Sequence, residues 1–190
     1  MELRKAAFLP ALALSVFVGC QGGDASDSFT TAPTSYTPVM AYGDDADHPV
    51  LATTTDVVTR DEETKLEDLI NAHRNALGRD ALQILPELKE LALAHSIHMG
   101  RHEPAFFDHR SPEGDVSIDR AALALIEFTE IGENIAAGQS AADAVFRSWL
   151  DSPGHRANLE DPKWTHMGAG HALLPESPYV TYWTLDLIQR

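Results

Sequence analysis

Two histidines stand where loop-forming residues surround them: His109 in "FFDHRSPEG" and His155 in "WLDSPGHRANL". Phe106 and Phe107 anchor the approach to the first, and Pro153-Gly154 preset the backbone before the second. Between them lies Glu133, in "IGENIAAG", bracketed by Gly132 and Gly138 and followed by Asn134. A neutral imidazole offers a lone pair to a metal ion or accepts a proton, and a carboxylate can ligate or orient the ring. Two imidazoles and one carboxylate therefore fit a divalent-metal site with an open position, zinc being the natural ion. They fit equally well a polar network that only holds the fold. The long separations specify no geometry, so both readings stand.

The chain has nine histidines, and the others carry weaker cases. His95, His98 and His102 fall within two turns of one expected helix, but no glutamate completes an H-E-x-x-H pattern. His95 lies on the apolar stripe and reads as a hydrogen-bonded core residue, as does His73 on an earlier helix. His98 and His102 are expected to face solvent, and His166 and His171 to be surface residues beside a strand. His48 falls in a polar N-terminal stretch. Ser111, Ser148 and Ser152 supply hydroxyls, yet nothing sets any of them against a base. No nucleophile elbow, P-loop or dinucleotide-binding glycine pattern is present.

The elements that must position these residues can be read in order. Arg4 and Lys5 precede an apolar run, Ala6 to Val18, that ends at Gly19-Cys20. This has the form of a secretory signal, too short to span a bilayer stably. "FVGC" resembles the lipobox of bacterial lipoproteins, although Phe17 stands where leucine is usual. Residues 1–19 are thus expected to be a lipoprotein signal peptide, with Cys20 acylated after cleavage. Cys20 is the single cysteine, so no disulfide can form within the chain. Residues 20–60 are rich in Ser, Thr, Asp, Gly and Pro and read as a disordered tether. The net charge of −15 argues against nucleic acid as a partner and against electrostatic attachment to anionic lipid.

Residues 61–190 are expected to fold. Leu66, Leu69, Ile70, His73 and Leu77 share a helical face stopped by Gly78. A second helix is expected from Pro86 to about His102, and a shorter one over "VSIDRAALALI". "FTEIGENIAAG" reads as irregular. Ser140 is placed to cap a helix that runs through Leu150. Two strands close the chain, "HMGAGHALL" and "YVTYWTLDLI", the second alternating like a half-buried strand. Helices first and strands last indicate an α+β domain with an antiparallel sheet.

"FFDHRSPEG", "IGENIAAG", "WLDSPGHRANL", "MGAG" and "YVTYWTLDL", in that order, resemble the CAP superfamily of cysteine-rich secretory, antigen 5 and pathogenesis-related proteins. The likeness is greatest to its bacterial SCP-domain members and covers roughly residues 62–190. It implies a three-layer α-β-α sandwich with a small antiparallel sheet. It further implies a cleft of two histidines and two acids in which some members bind zinc or magnesium. By position, His109 and His155 match the histidines, and hence the metal ligands, and Glu133 matches the first acid. The second acid is missing: Ser152 stands at its offset from Trp149. That omission weakens any mechanism built on paired carboxylates. Glu133, Asn134 and Ser152 then become supporting residues of the cleft, while Arg156 and the three tryptophans read as structural.

Two functions follow from the resemblance. One is an envelope-tethered module that binds a lipid, glycan, peptide or protein in the cleft, with membrane contact through acylated Cys20. The other is a metal-assisted hydrolase of protease or esterase type, with His109, Glu133 or His155 as catalytic candidates. Gln21 lacks the aspartate associated with inner-membrane retention, which favours the outer membrane.

Overall fold

The computed structural model describes residues 60–102 and 106–190. The signal peptide and tether expected over residues 1–60 lie outside the described residues, except Arg60, which begins the first helix. Helix α1 spans Arg60–Ala76, the two-residue strand β1 Gln83–Ile84, and α2 Pro86–Arg101. Then come α3 (Ser117–Leu123), β2 (Glu130–Ala137), α4 (Ala142–Asp151), α5 (Pro153–Glu160), β3 (His166–Leu173) and β4 (Thr181–Gln189).

Apolar periodicity explains the helices, and glycine and proline set their limits. Gly78, at φ +70°, takes the left-handed conformation that ends α1. Pro86 and Pro153 stand in the first turns of α2 and α5, where a missing N–H costs nothing. Ser140 does not cap α4. The Ala142 N–H is taken by Glu62 of α1 at 2.6 Å, so a carboxylate from another helix replaces the local cap.

The sheet order is β1-β3-β4-β2. β4 pairs antiparallel with β2 and β3, but β1 pairs parallel with β3, so the small sheet is mixed rather than wholly antiparallel. Trp183, Leu185 and Leu187 of β4 join Leu66, Ile70, Val145, Trp149 and Leu159 in one core cluster. On the other face Tyr182 joins Leu93, Ile97 and Met99 of α2. Ile188 meets Leu88, Leu91 and Ala121 there. Helices α1, α4 and α5 thus cover one face and α2 and α3 the other, which is the expected three-layer sandwich. β4 is buried on both faces rather than half-buried.

Two glycines let the layers close. A Cβ on Gly168 would strike the α2 backbone at Leu88 and Lys89, and one on Gly170 would strike it at Ala92 and Leu93. Helix α2 therefore lies directly on β3.

Both sheet margins are sealed by side chains. Past the short β1, the Ala169 and His171 N–H groups of β3 donate to Glu67 and Glu63 of α1, each at 3.1 Å. Lys89 bridges both carboxylates. On the far margin, the Glu133 carbonyl of β2 accepts from Asn158 at 3.2 Å, and the Ile135 carbonyl from the Trp149 indole at 3.2 Å. Sealing of this kind protects edges that would otherwise pair with other strands.

Candidate functional site

The segment expected to be irregular, "FTEIGENIAAG", contains β2, the outer strand of the sheet. Its glycines obscured a strand that is covered on both sides and so shows no simple alternation. Strand geometry gives Glu133 and Asn134 opposite faces. Asn134 accordingly turns away from Glu133. It is fully buried, donates to the His155 carbonyl at 3.1 Å, and accepts from Asn158 at 2.9 Å. His155 itself stands on α5 rather than in a loop, its backbone held by that bond. Ser152 is the hinge residue between α4 and α5, and Arg156 donates from Nε to the Leu150 carbonyl.

Glu133 is the hub. Its Oε1 accepts from His109 Nδ1 at 2.8 Å, and its Oε2 accepts from Arg120 of α3. Arg120 also donates to the carbonyls of His109 and Asp115, both at 3.0 Å, and so ties the His109 loop to the carboxylate. Burial works against the Glu133 charge, but His95, Arg120 and His109 around it hold its pKa at about 2. Arg120 is the dependable cation, because burial keeps His95 neutral, with a pKa of about 3. An ionised carboxylate can only accept, so His109 Nδ1 carries a proton and the ring turns Nε2 away from Glu133.

His109 Nε2 is buried and has no hydrogen-bond partner, and the same is true of His155 Nε2. Burial, reinforced by the nearby His109, lowers the His155 pKa to about 4, so the His155 ring is neutral near pH 7. His155 lies 6.3 Å from the Trp149 ring, centroid to centroid, which walls it on the core side. Two imidazoles thus present nitrogens without protein partners in one region, one ring braced by a carboxylate.

These nitrogens suit zinc as two of the three or four protein ligands it usually takes. Among the described residues no group of three or more His, Cys, Asp or Glu is disposed to hold a metal ion. A zinc ion here would be held by His109 and His155, with Glu133 behind His109 and the other positions left to water or ligand. It would supply a Lewis acid at the cleft.

The other histidines divide. His95 is buried and its Nε2 meets the Asp108 carbonyl at 3.1 Å, as a core histidine should. His73 pairs with Glu160 at 3.0 Å. His171 is not a surface residue: it is buried and stacked on Trp183, rings 3.8 Å apart and 8° from parallel. His98 lies near Glu113, at 3.9 Å. Trp149, Trp164 and Trp183 are all buried.

Sequence reading missed three residues of the site. Arg120 is the single basic residue of a short helix, next to Asp119. Asn158 is a polar position of α5 that faces β2. Asp186, read as the solvent side of a strand, is fully buried opposite Glu133.

Residues 67–187 match the profile of the cysteine-rich secretory protein family, called CAP. The chain belongs to this family. The CAP domain is 38% identical over 109 residues to the uncharacterized protein YkwD of Bacillus subtilis, covering 57% of this chain and 42% of that protein. It is 33% identical over 108 residues to the uncharacterized membrane protein YlbC of the same organism, covering 57% and 31%. The chain therefore spans less than half the length of these relatives. An extracellular SCP-domain protein of Bacillus anthracis superposes with a TM-score of 0.60 at 28% identity, over 68% of this chain and 41% of that one. An outer surface protein of Borrelia burgdorferi shares the fold, with a TM-score of 0.65 at 21% identity, over 71% and 97%.

Proposed function

We propose that this CAP protein is exported and tethered to the cell envelope through Cys20. Its cleft binds a ligand at His109 and His155, with a divalent ion such as zinc bridging the two. The observation that carries this reading is the pair of buried Nε2 atoms with no protein partner, one backed by the Glu133–Arg120 pair. Buried polar atoms in folded proteins are normally satisfied, and two left open in one region favour a site built for an outside group. Export is supported by the signal-like N-terminus and by the extracellular and outer-surface character of two structural neighbours.

The same atoms favour binding over hydrolysis by a side-chain nucleophile. A nucleophilic hydroxyl activated by histidine would sit within hydrogen-bond reach of Nε2, and neither ring has such a partner. The second acid sought at Ser152 is a hydroxyl at the helix junction. Lipid, glycan, peptide and protein all remain as ligand classes for a cleft of this kind.

Zinc titration of the full chain by calorimetry tests the reading. Wild type is expected to release heat with a one-to-one midpoint, and the His109→Ala/His155→Ala double variant to release none. Absence of heat from wild type, or equal heat from the double variant, would overturn it.

A further inference from the structure

Asp186 lies mid-way along β4, between β3 and β2, and is fully buried. Neither of its oxygens accepts a hydrogen bond from any described donor. A carboxylate so placed would lose its hydration with nothing in return. A carboxylic acid has a different option, because its O–H can donate.

The register identifies the acceptor. Asp186 stands directly across from Gly168 of β3 and Glu133 of β2. Directly opposite residues in an antiparallel pair send their side chains from the same face, with Cβ atoms about 4.5–5.5 Å apart. Gly168 has no side chain, and the α2 backbone fills the space above it. Thr184, two residues along the same face of β4, is already engaged by Ser96 of α2 at 2.9 Å. Glu133 remains. Its two oxygens take one donor each, from His109 and Arg120, and a carboxylate accommodates about four.

We propose that Asp186 donates a hydrogen bond to Glu133, directly or through one ordered water, and is thereby a positioning residue for the carboxylate that orients His109. The surrounding groups agree. Burial and the negative Glu133 both keep the proton on Asp186, and only Arg120 of α3 pulls the other way. Arg120 gives its two terminal nitrogens to Glu133 and two carbonyls, its Nε having no hydrogen-bond partner. His95 of α2 is turned to the Asp108 carbonyl, and His109 to Glu133. Two carboxyl groups sharing one proton can be close neighbours without repulsion. The importance of this bond for ligand capture rests on the function proposed above; the bond itself does not.

The test uses the full chain labelled with carbon-13 at the aspartate carboxyls, followed by NMR from pH 4 to 8. One resonance, absent from Asp186→Asn, is expected to hold the protonated position throughout. Titration of that resonance near the ordinary aspartate value of about 4 would overturn the proposal. A second comparison sets Asp186→Asn, which keeps a donor, against Asp186→Leu, which keeps the size and loses it. The Asn variant is expected to show the higher urea midpoint at pH 7; an equal or higher midpoint for Leu would sink the hydrogen bond. Should the Leu variant fail to fold, the resonance of the wild-type chain decides alone. Neither measurement involves zinc or ligand, so failure here and failure of the metal-binding reading are separate results.

Discussion

Replacing Arg120 by methionine would leave the buried Glu133 without its guanidinium partner, with His109 and the Asp186 hydroxyl as its remaining donors. Removing one partner of a buried pair costs about 3–5 kcal/mol, because the remaining charge is stranded. Urea denaturation of Arg120→Met is expected to show a loss of that order at pH 7. A shift below about 1 kcal/mol would mean that water already shares the pair, as at exposed ion pairs. This residue also shows where sequence reading stops. His109, Glu133 and His155 could be picked out because their types and flanking motifs carry chemistry. Arg120 and Asp186 could not, because what makes them matter is burial beside Glu133, and burial is a property of the folded neighbours. Asp186 in particular sits at a polar beat of an alternating strand, a pattern that ordinarily signals solvent. Here α2 covers that face, and the beat points into the protein.

Among the elements, the helices were legible and the site-bearing pieces were not. α1 and α2 announce themselves through long apolar stripes and end signals. β2 is short, bracketed by glycines and apolar on both faces, so no local period distinguishes it from a loop. α5 begins with Pro153-Gly154, which reads as a turn until β2 and α4 are seen to support it. The register between α2 and β3 rests instead on absent side chains, and this can be measured. Gly168→Ala puts a methyl group into the backbone of α2 and is expected to cost about 1–3 kcal/mol by overpacking. Gly154→Ala, with nothing within 4 Å of the new carbon and helical surroundings, is expected to stabilise by about 0.5–1 kcal/mol. Thermal melts of the two variants should move in opposite directions; movement of both the same way would refute the close approach of α2.

For the molecule as a whole, the buried titratable groups set the pH range in which the fold is secure. Burial lowers His95 and His171 to about 3, and burial with His109 lowers His155 to about 4. Each contributes stability that is fully present above about 6.5, the unfolded value, and is lost as pH falls toward the folded one. Glu63 acts oppositely: burial raises it to about 7. Its favourable share is full below about 4.5 and is lost as pH rises through 7. Asp186, raised by burial and by Glu133, acts in the same sense as Glu63. Three histidines outweigh these two carboxyls, so the melting temperature is expected to fall from about pH 6 to about pH 4.5. A flat or rising profile in calorimetric melts over that range would show that these rings are charged in the fold.

The margins of the sheet carry one more consequence. The carbonyls of Glu133 and Ile135, the stretch of β2 beside the two histidines, already have donors from Asn158 and Trp149. An extended peptide laid along β2 would find those two carbonyl acceptors already taken. The ligand proposed for this site would then be read by what protrudes from it, such as a headgroup, a hydroxyl or a side chain, rather than by those two acceptors.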